Sequence, residues 1–282
     1  MFSWKRLKSL LSFGWKMLVS SLLETVYTNI RSLIIGKMYS SSDLAFYNQG
    51  DKLPNVIVNN INTSIDSVLL PTLSKEQDDK ERVKNMTRRA IKVSTYIMSP
   101  LMMGLAFCAT PIVEIVLTEK WLPCVPFLQI FCITYMFFPI HTANLNAIKA
   151  MGRSDLFLKL EIAKKIIGTV LLVSTMWFGV RVMAYSLLVS TLTSMIINSW
   201  PNKVLLNYDF KEQMLDIFPS IVLSVFMGWI VSFIRLLEFS SYITLLIQVP
   251  LGAIIYLMGS KLLHLDSFEY LLQIVKSFVN EK

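Results

Sequence analysis

Charge is scarce in this chain. Only 16% of its 282 residues are charged, against roughly a quarter in a soluble domain, and that shortage excludes an ordinary water-soluble globule. Histidine occurs twice and cysteine three times. Cys108, Cys124 and Cys132 lie in or beside apolar windows, odd in number and without metal-ligand spacing. They read as small buried hydrophobes, not as a disulfide framework or a metal centre. Catalytic signatures are missing as well: no glycine-rich phosphate loop, no HExxH, no Gly-x-Ser-x-Gly and no Cys/His cluster. The carboxylates do not pair in a water-accessible loop. The chain is therefore read as a non-enzyme with no cofactor and no metal.

What remains is apolar. Hydrophobic residues make up 54% of the chain, the mean hydropathy is +0.55, and the apolar residues cluster in windows of about 20, the length of a membrane-crossing helix. The fold class expected is all-α integral membrane, a polytopic bundle of about eight transmembrane helices. The spans are placed at about 12–38, 42–73, 90–117, 125–150, 156–178, 182–199, 217–237 and 242–263. Residues 1–11 read as an interfacial segment, because Lys16 and Glu24 interrupt the apolar run and no small-residue cleavage site follows. Residues 12–263 form the membrane bundle, and 265–282 an amphipathic cytoplasmic tail. Pro100, Pro139, Pro219 and Pro250 fall inside spans, where kinks are expected.

The net charge of +8 is explained by where the basic residues sit. Apart from Arg31, Lys37, Lys52, Lys120, Arg181 and Arg235, every Lys and Arg falls on one side of this span assignment. The positive-inside rule then makes both termini and the longer loops cytoplasmic. Nucleic acid is excluded as a partner, because the basic residues lie between apolar segments. The loops on the other face, 39–41, 119–123, 179–181 and 238–241, are too short for an external catalytic domain, which argues against a polysaccharide polymerase or ligase. The charged stretch 74–89 reads as a solvated helical linker.

One span is unlike the rest. At 100° per residue, Asn48, Gln49, Lys52, Asn55, Asn59, Thr63 and Asp66 share one arc of the 42–73 helix, with Ile57, Ile61, Ile65 and Val68 opposite. Ionisable and amide groups at membrane depth are costly, so a row of them marks a polar route. The first span repeats the pattern with Ser20, Ser21, Glu24, Tyr27, Thr28 and Arg31. Together the two spans propose a cavity wall formed by Glu24, Arg31, Asn48, Gln49, Lys52, Asn55, Asn59, Thr63 and Asp66. Arg31 and Lys52 would attract an anionic group, and the amides would meet sugar hydroxyls. The competing reading is interhelical ion pairing, with Glu24 or Asp66 neutralising Arg31 or Lys52. His141 reads as a packing residue, and Glu161 with Lys165 as an i,i+4 pair.

Several segments carry a resemblance. Tyr47-Asn48-Gln49-Gly50-Asp51-Lys52-Leu53-Pro54, the run from Val58 to Pro71, Lys80-Glu81-Arg82-Val83 and the run from Ala150 to Glu161 are similar to the Wzx-type polysaccharide/lipopolysaccharide flippases. These belong to the multidrug/oligosaccharidyl-lipid/polysaccharide exporter superfamily. The likeness extends over most of residues 1–265. It implies a second lobe, spans seven to fourteen, that moves a polyprenyl-pyrophosphate-linked oligosaccharide to the outer leaflet by alternating access. The resemblance also implies a bacterial cytoplasmic (inner) membrane, and as partners the lipid-linked oligosaccharide, membrane lipid, and a missing N-terminal lobe or polysaccharide-assembly proteins. The alternatives are a cation-coupled drug antiporter of the same superfamily and an inactive truncated remnant.

Overall fold

The computed structural model describes Trp4, residues 25–27 and residues 29–280, and contains no strand among them. The expected interfacial segment 1–11, Trp4 apart, lies outside the described residues. In chain order the helices are α1 (25–27 and 29–38), α2 (Ser41–Lys75), α3 (Lys80–Phe107), α4 (Ala109–Leu117), α5 (Val125–Tyr135), α6 (Phe138–Ala150), α7 (Ser154–Thr175), α8 (Val180–Leu206), α9 (Phe210–Ser232), α10 (Ser241–Leu262) and α11 (Asp266–Asn280).

Local chemistry explains where these helices begin and break. Ser40 caps α2 through a reciprocal box: its hydroxyl accepts from the Asp43 amide at 3.1 Å, and Asp43 accepts from the Ser40 amide at 3.3 Å. Asp79 and Asp209 cap α3 and α9 from the amides of Arg82 (3.0 Å) and Glu212 (2.8 Å). Each such cap contributes about 1 kcal/mol. Gly152 and Gly179, with φ of 68° and 103°, make the turns into α7 and α8 that a side chain would strain. The chain breaks at Met136–Phe137, just before Pro139, where the sequence predicts a kink. Pro100, Pro219 and Pro250 sit inside continuous helices. The stretch 74–89 is almost entirely helix: α2 runs on to Lys75 and α3 starts at Lys80, leaving 76–79 as the connection.

α3 and α9 form the most extensive helix pair, and α2 packs on α5 and α6, α7 on α8, and α10 on α9 and α4. Two apolar cores divide the bundle lengthwise. One, including Ile35, Val58, Met98, Phe131 and Met183, lies towards Ser40. The other, including Leu73, Ile91, Ile140, Tyr208 and Ile217, lies towards Lys75. Between α6, α8 and α9 a fully buried polar knot ties the second core: Asn144 donates to Gln213 (2.8 Å), Asn202 to Asn144 (2.6 Å) and Ser199 to Gln213 (2.9 Å). In an apolar surround such groups must satisfy one another, which fixes the helices' register.

Among the described residues, five stretches are long and apolar enough to cross a membrane: Lys80–Phe107, Glu119–Ala150, Val180–Leu206, Phe210–Leu237 and Ser241–Leu262. α7 falls short because Lys159, Glu161, Lys164 and Lys165 are clustered in it, and α2 because Asp51, Lys52 and Asp66 are joined by Asn55, Asn59, Asn60 and Asn62, which lower its hydropathy. α7 still exposes Ile162, Ile166, Val170 and Val173 in one row. A lipid-facing helix carries such a row; a soluble protein keeps contiguous apolar surface small. The protein is an all-α polytopic membrane protein.

Candidate functional site: a polar cavity between α1, α2, α5, α7 and α8

α2 buries Tyr47, Gly50, Pro54 and Val58, spaced by three and four residues, against its neighbours. Gly50 is where the helices come closest. A Cβ there would sit 2.7 Å from Phe127 Cβ and 2.8 Å from the Leu128 nitrogen. This contact turns the adjacent face, Asn48, Asp51 and Asn55, into a cavity of about 520 Å³. α1 contributes Tyr27, Arg31 and Ser32, α7 contributes Gly168 and Thr169, and α8 contributes Ser190. A methyl at Gly168 would collide with the Tyr27 hydroxyl, so that glycine keeps the two walls close.

The polar groups are organised from wall to wall. Tyr135 donates its hydroxyl to Asp51 Oδ1 at 2.5 Å, and Asn55 Nδ2 lies 3.4 Å from Asp51 Oδ2. Asn59 donates to Asn55 at 2.5 Å, extending the chain of amides along α2. Ser32 donates to Asn48 at 3.1 Å, joining α1 to α2. The Arg31 guanidinium crosses to α8, donating to the Met183 carbonyl and, at 2.8 Å, to Ser186 Oγ. Aromatic rings line the floor: Tyr47 and Phe131 meet edge to face at 5.1 Å, and Tyr135 meets Phe138 at 4.8 Å. A cationic group, a carboxylate, amides and ring faces thus surround one recess. That set can hold a polar, hydroxyl-rich guest without a metal or a nucleophile.

Of the wall proposed from sequence, Arg31, Asn48 and Asn55 line this cavity. Gln49 is half-buried beside it, and Lys52, Asn59, Thr63 and Asp66 are exposed away from it. Asp66 accepts a hydrogen bond from Asn146 at 2.7 Å, so it ties α2 to α6. Glu24 lies outside the described residues. The ion pairs weighed for Arg31 and Lys52 are not formed among the described residues: Arg31 is held by a carbonyl and a hydroxyl, and Lys52 contacts no carboxylate. The opposite row also differs. Ile57, Ile61 and Ile65 are half-buried, and Val68 is exposed at 68%. Sequence reasoning missed Asp51, Tyr47 and Tyr135. The 48–51–55 spacing, an i, i+3, i+7 face, carried the signal for Asp51, but the arc was centred on Lys52 one residue on, a rotation of about 100°. His141 packs as expected, 3.0 Å from Asn198 and edge-on to Phe138. Glu161 pairs with Lys164 at 2.6 Å, one residue short of the expected i,i+4 partner, while Lys165 sits over the Tyr27 ring at 5.4 Å.

Comparison with known proteins agrees with this architecture. Residues 1–126 match the profile of the family described as "Polysaccharide biosynthesis protein". A Klebsiella pneumoniae protein titled "Uncharacterized membrane protein in cps region" is 32% identical over 63% of this chain and 38% of its own length. The teichuronic acid biosynthesis protein TuaB of Bacillus subtilis is 22% identical over 91% of this chain and 54% of its own. The lipopolysaccharide biosynthesis protein WzxC of Escherichia coli is 25% identical over 55% and 31%. Among solved structures, the lipid II flippase MurJ in its inward closed conformation superposes with a TM-score of 0.75 at 16% identity, over 94% of this chain and 56% of that one. The chain spans about half the length, or less, of the relatives it matches.

The fold defines the class: a helical membrane protein that shares its fold with part of the lipid II flippase MurJ. In sequence it is similar, over part of its length, to proteins of polysaccharide biosynthesis, in line with the resemblance carried by the 47–54 and 150–161 segments.

Proposed function

We propose that the chain is one lobe of a flippase that moves a polyprenyl-pyrophosphate-linked oligosaccharide from the cytoplasmic to the outer leaflet, working with a companion lobe by alternating access. The observation that carries this reading is the 520 Å³ cavity in which Arg31, Asn48, Asp51 and Asn55 face one another at membrane depth. A sugar headgroup crossing hydrocarbon loses its water contacts, at several kcal/mol for each unsatisfied polar group. Amides and hydroxyls on the wall replace those contacts, aromatic faces accommodate the apolar sides of sugar rings, and the lipid tail stays in the bilayer. Catalysis has no part in this scheme.

The positive-inside rule orients the lobe with both termini in the cytoplasm, which sets Arg31 and Asp51 in the outer half of the bundle. Gln49, Lys52, Asn59, Thr63 and Asp66 then belong to the route outside the recess, where a translocating headgroup would pass, and Glu24 is kept as a proposed residue of the route. A second reading has one specific observation in its favour. Asp51 is the acidic group a cation-coupled antiporter of the same superfamily would need, held in place by Tyr135.

The two readings separate in a strain whose own polysaccharide flippase is deleted. Expression of the chain together with a companion lobe should restore surface glycan, and Arg31→Gln should abolish it at unchanged membrane abundance. Restored glycan with Arg31→Gln would refute the cavity role. Drug resistance conferred without any glycan would favour the antiporter.

A further inference from the structure

Another recess of the bundle has no share in the polar cavity. A groove of about 620 Å³ runs between α2 and α3, lined by Ile61, Ile65 and Val68 on one side and Ala90, Val93 and Ile97 on the other, with Tyr270 of α11 at one end. None of its lining residues lines the polar cavity. The polar side chains along it are satisfied by their own helix: Asn60 donates to the Val56 carbonyl at 2.8 Å, Ser64 to Asn60 at 2.8 Å and Thr72 to Val68 at 2.5 Å. Their donors face the helix, so the wall suits an apolar occupant. From Ile61 to Thr72 the groove is about 16 Å long at 1.5 Å per residue, close to half of a hydrocarbon core of about 30 Å.

At the Tyr270 end the groove opens into a second recess of about 600 Å³ lined by Asn85, Arg88, Arg89, Lys92 and Asp266. One cation here stands apart from the ion pairs. Lys84 and Arg88 share Glu212 at 3.2 and 3.0 Å, Arg88 also holds Asp216 at 2.7 Å, and Lys92 pairs with Asp266. Arg89 has no carboxylate partner among the described residues. Its guanidinium lies over the Tyr270 ring at 4.8 Å, at the junction of the two recesses. Ring stacking leaves the edge of the guanidinium, with its forked N–H donors, available to a phosphate. Anionic lipid is concentrated at the cytoplasmic surface, where this basic end would lie.

We infer that the α2/α3 groove is a site for an anionic glycerophospholipid of the cytoplasmic leaflet, with one acyl chain along Ile61, Ile65 and Val93 and the phosphate on Arg89. The proposal does not depend on what the polar cavity transports. An apolar chain gains free energy with every CH₂ it buries, so chain and phosphate each contribute. Because both recesses border α11 and the first flanks α2, the bound lipid would brace the cavity wall from behind.

Native mass spectrometry of the detergent-solubilised full chain, titrated with phosphatidylglycerol, phosphatidylcholine and a polyprenyl phosphate, tests this. Phosphatidylglycerol should be retained about fivefold over phosphatidylcholine, the ratio expected for one basic contact of about 1 kcal/mol. Arg89→Gln should remove that preference, Arg89→Lys should keep most of it, and Arg82→Gln, which changes a solvent-exposed arginine outside the groove, should leave it whole. Val68→Trp, filling the groove, should lower retention of both phospholipids. Equal retention of the two phospholipids by the unmodified protein would overturn the assignment whether or not any variant folds. So would an Arg89→Gln protein that keeps the preference, or a polyprenyl phosphate that displaces phosphatidylglycerol.

Discussion

Replacing Gly50 with alanine adds one methyl group at the closest approach of α2 to α5. That carbon would lie 2.7 Å from Phe127 Cβ, 2.8 Å from the Leu128 nitrogen and 3.1 Å from the Cys124 carbonyl oxygen. Two of these neighbours are backbone atoms of a buried helix, so no rotamer change relieves the overlap and α2 must move outward. Overpacking of this kind costs about 1–3 kcal/mol. Alanine returns up to about 1 kcal/mol of helix propensity over glycine, and less in detergent, where the unfolded chain retains much of its helix. The net destabilisation expected is about 1–2 kcal/mol, a fall of several degrees in melting temperature. The displaced helix also carries Tyr47 and Asp51, so the cavity wall should loosen with it. A thiol-reactive dye reads the melt directly, because Cys108, Cys124 and Cys132 are all buried until the bundle opens. Gly104→Ala is the paired control. Its Cβ would meet only Met227 Cε, at 3.9 Å, and the melt should hold steady or rise. Equal melting of Gly50→Ala and the parent, or an equal fall in Gly104→Ala, would refute the reasoning.

Three further outcomes follow from the same contacts. Tyr135→Phe removes the stronger of the two hydrogen bonds drawn for Asp51 and should cut glycan export while lowering stability by about 0.6–1.7 kcal/mol, the range for interhelical hydrogen bonds in bundles; export at the parental level would count against Asp51 as a wall residue. Gln213→Leu takes a hydrogen-bond partner from Asn144 and from Ser199, which keep Ile140, Asn202 and Met195, and should cost about 0.5–1.5 kcal/mol for each bond lost, read in the same melt, whereas Gln129→Leu, whose amide reaches only the Ala106 carbonyl, should cost less. The Lys92 hydrogen bond holds the Asp266 carboxyl below its ordinary range. Its contribution is therefore present above the unfolded value of about 3.9 and is lost as pH falls through the lowered folded value. Proteolysis of α11 should stay flat from pH 8 to 5 and rise below about pH 4, and Asp266→Asn should flatten that rise.

Much of this architecture was written in hydropathy and punctuation. The apolar windows locate the helices, Ser40, Asp79 and Asp209 start three of them, and Pro139 marks the break between α5 and α6. The charged 74–89 stretch reads as a solvated helical linker, and all of it but 76–79 is helix, as the end of α2 and the start of α3. The cavity was half legible. Asn48 and Asn55 share a face of α2 by spacing alone, and Arg31 stands on the matching polar stripe of the first span. Tyr135 comes from α5, eighty-four residues beyond Asp51, and a single helical wheel carries no information about its partner. Asp51 was hidden for a related reason. Periodicity places residues on a face, but which flank of a polar arc meets the neighbouring helix is decided by packing at Gly50 and Pro54.

The central claim is that water and polar solutes enter the recess between α1, α2, α5, α7 and α8. Substituted-cysteine labelling tests it most directly. In a background lacking Cys108, Cys124 and Cys132, single cysteines at Asn48, Asn55, Thr169 and Ser190 should react with a small, charged, membrane-impermeant thiol reagent. Cysteines at Val58 and Ile148, both buried in the apolar cores, should not. Unreactive cysteines at all four cavity positions, in protein that inserts and melts normally, would contradict the account.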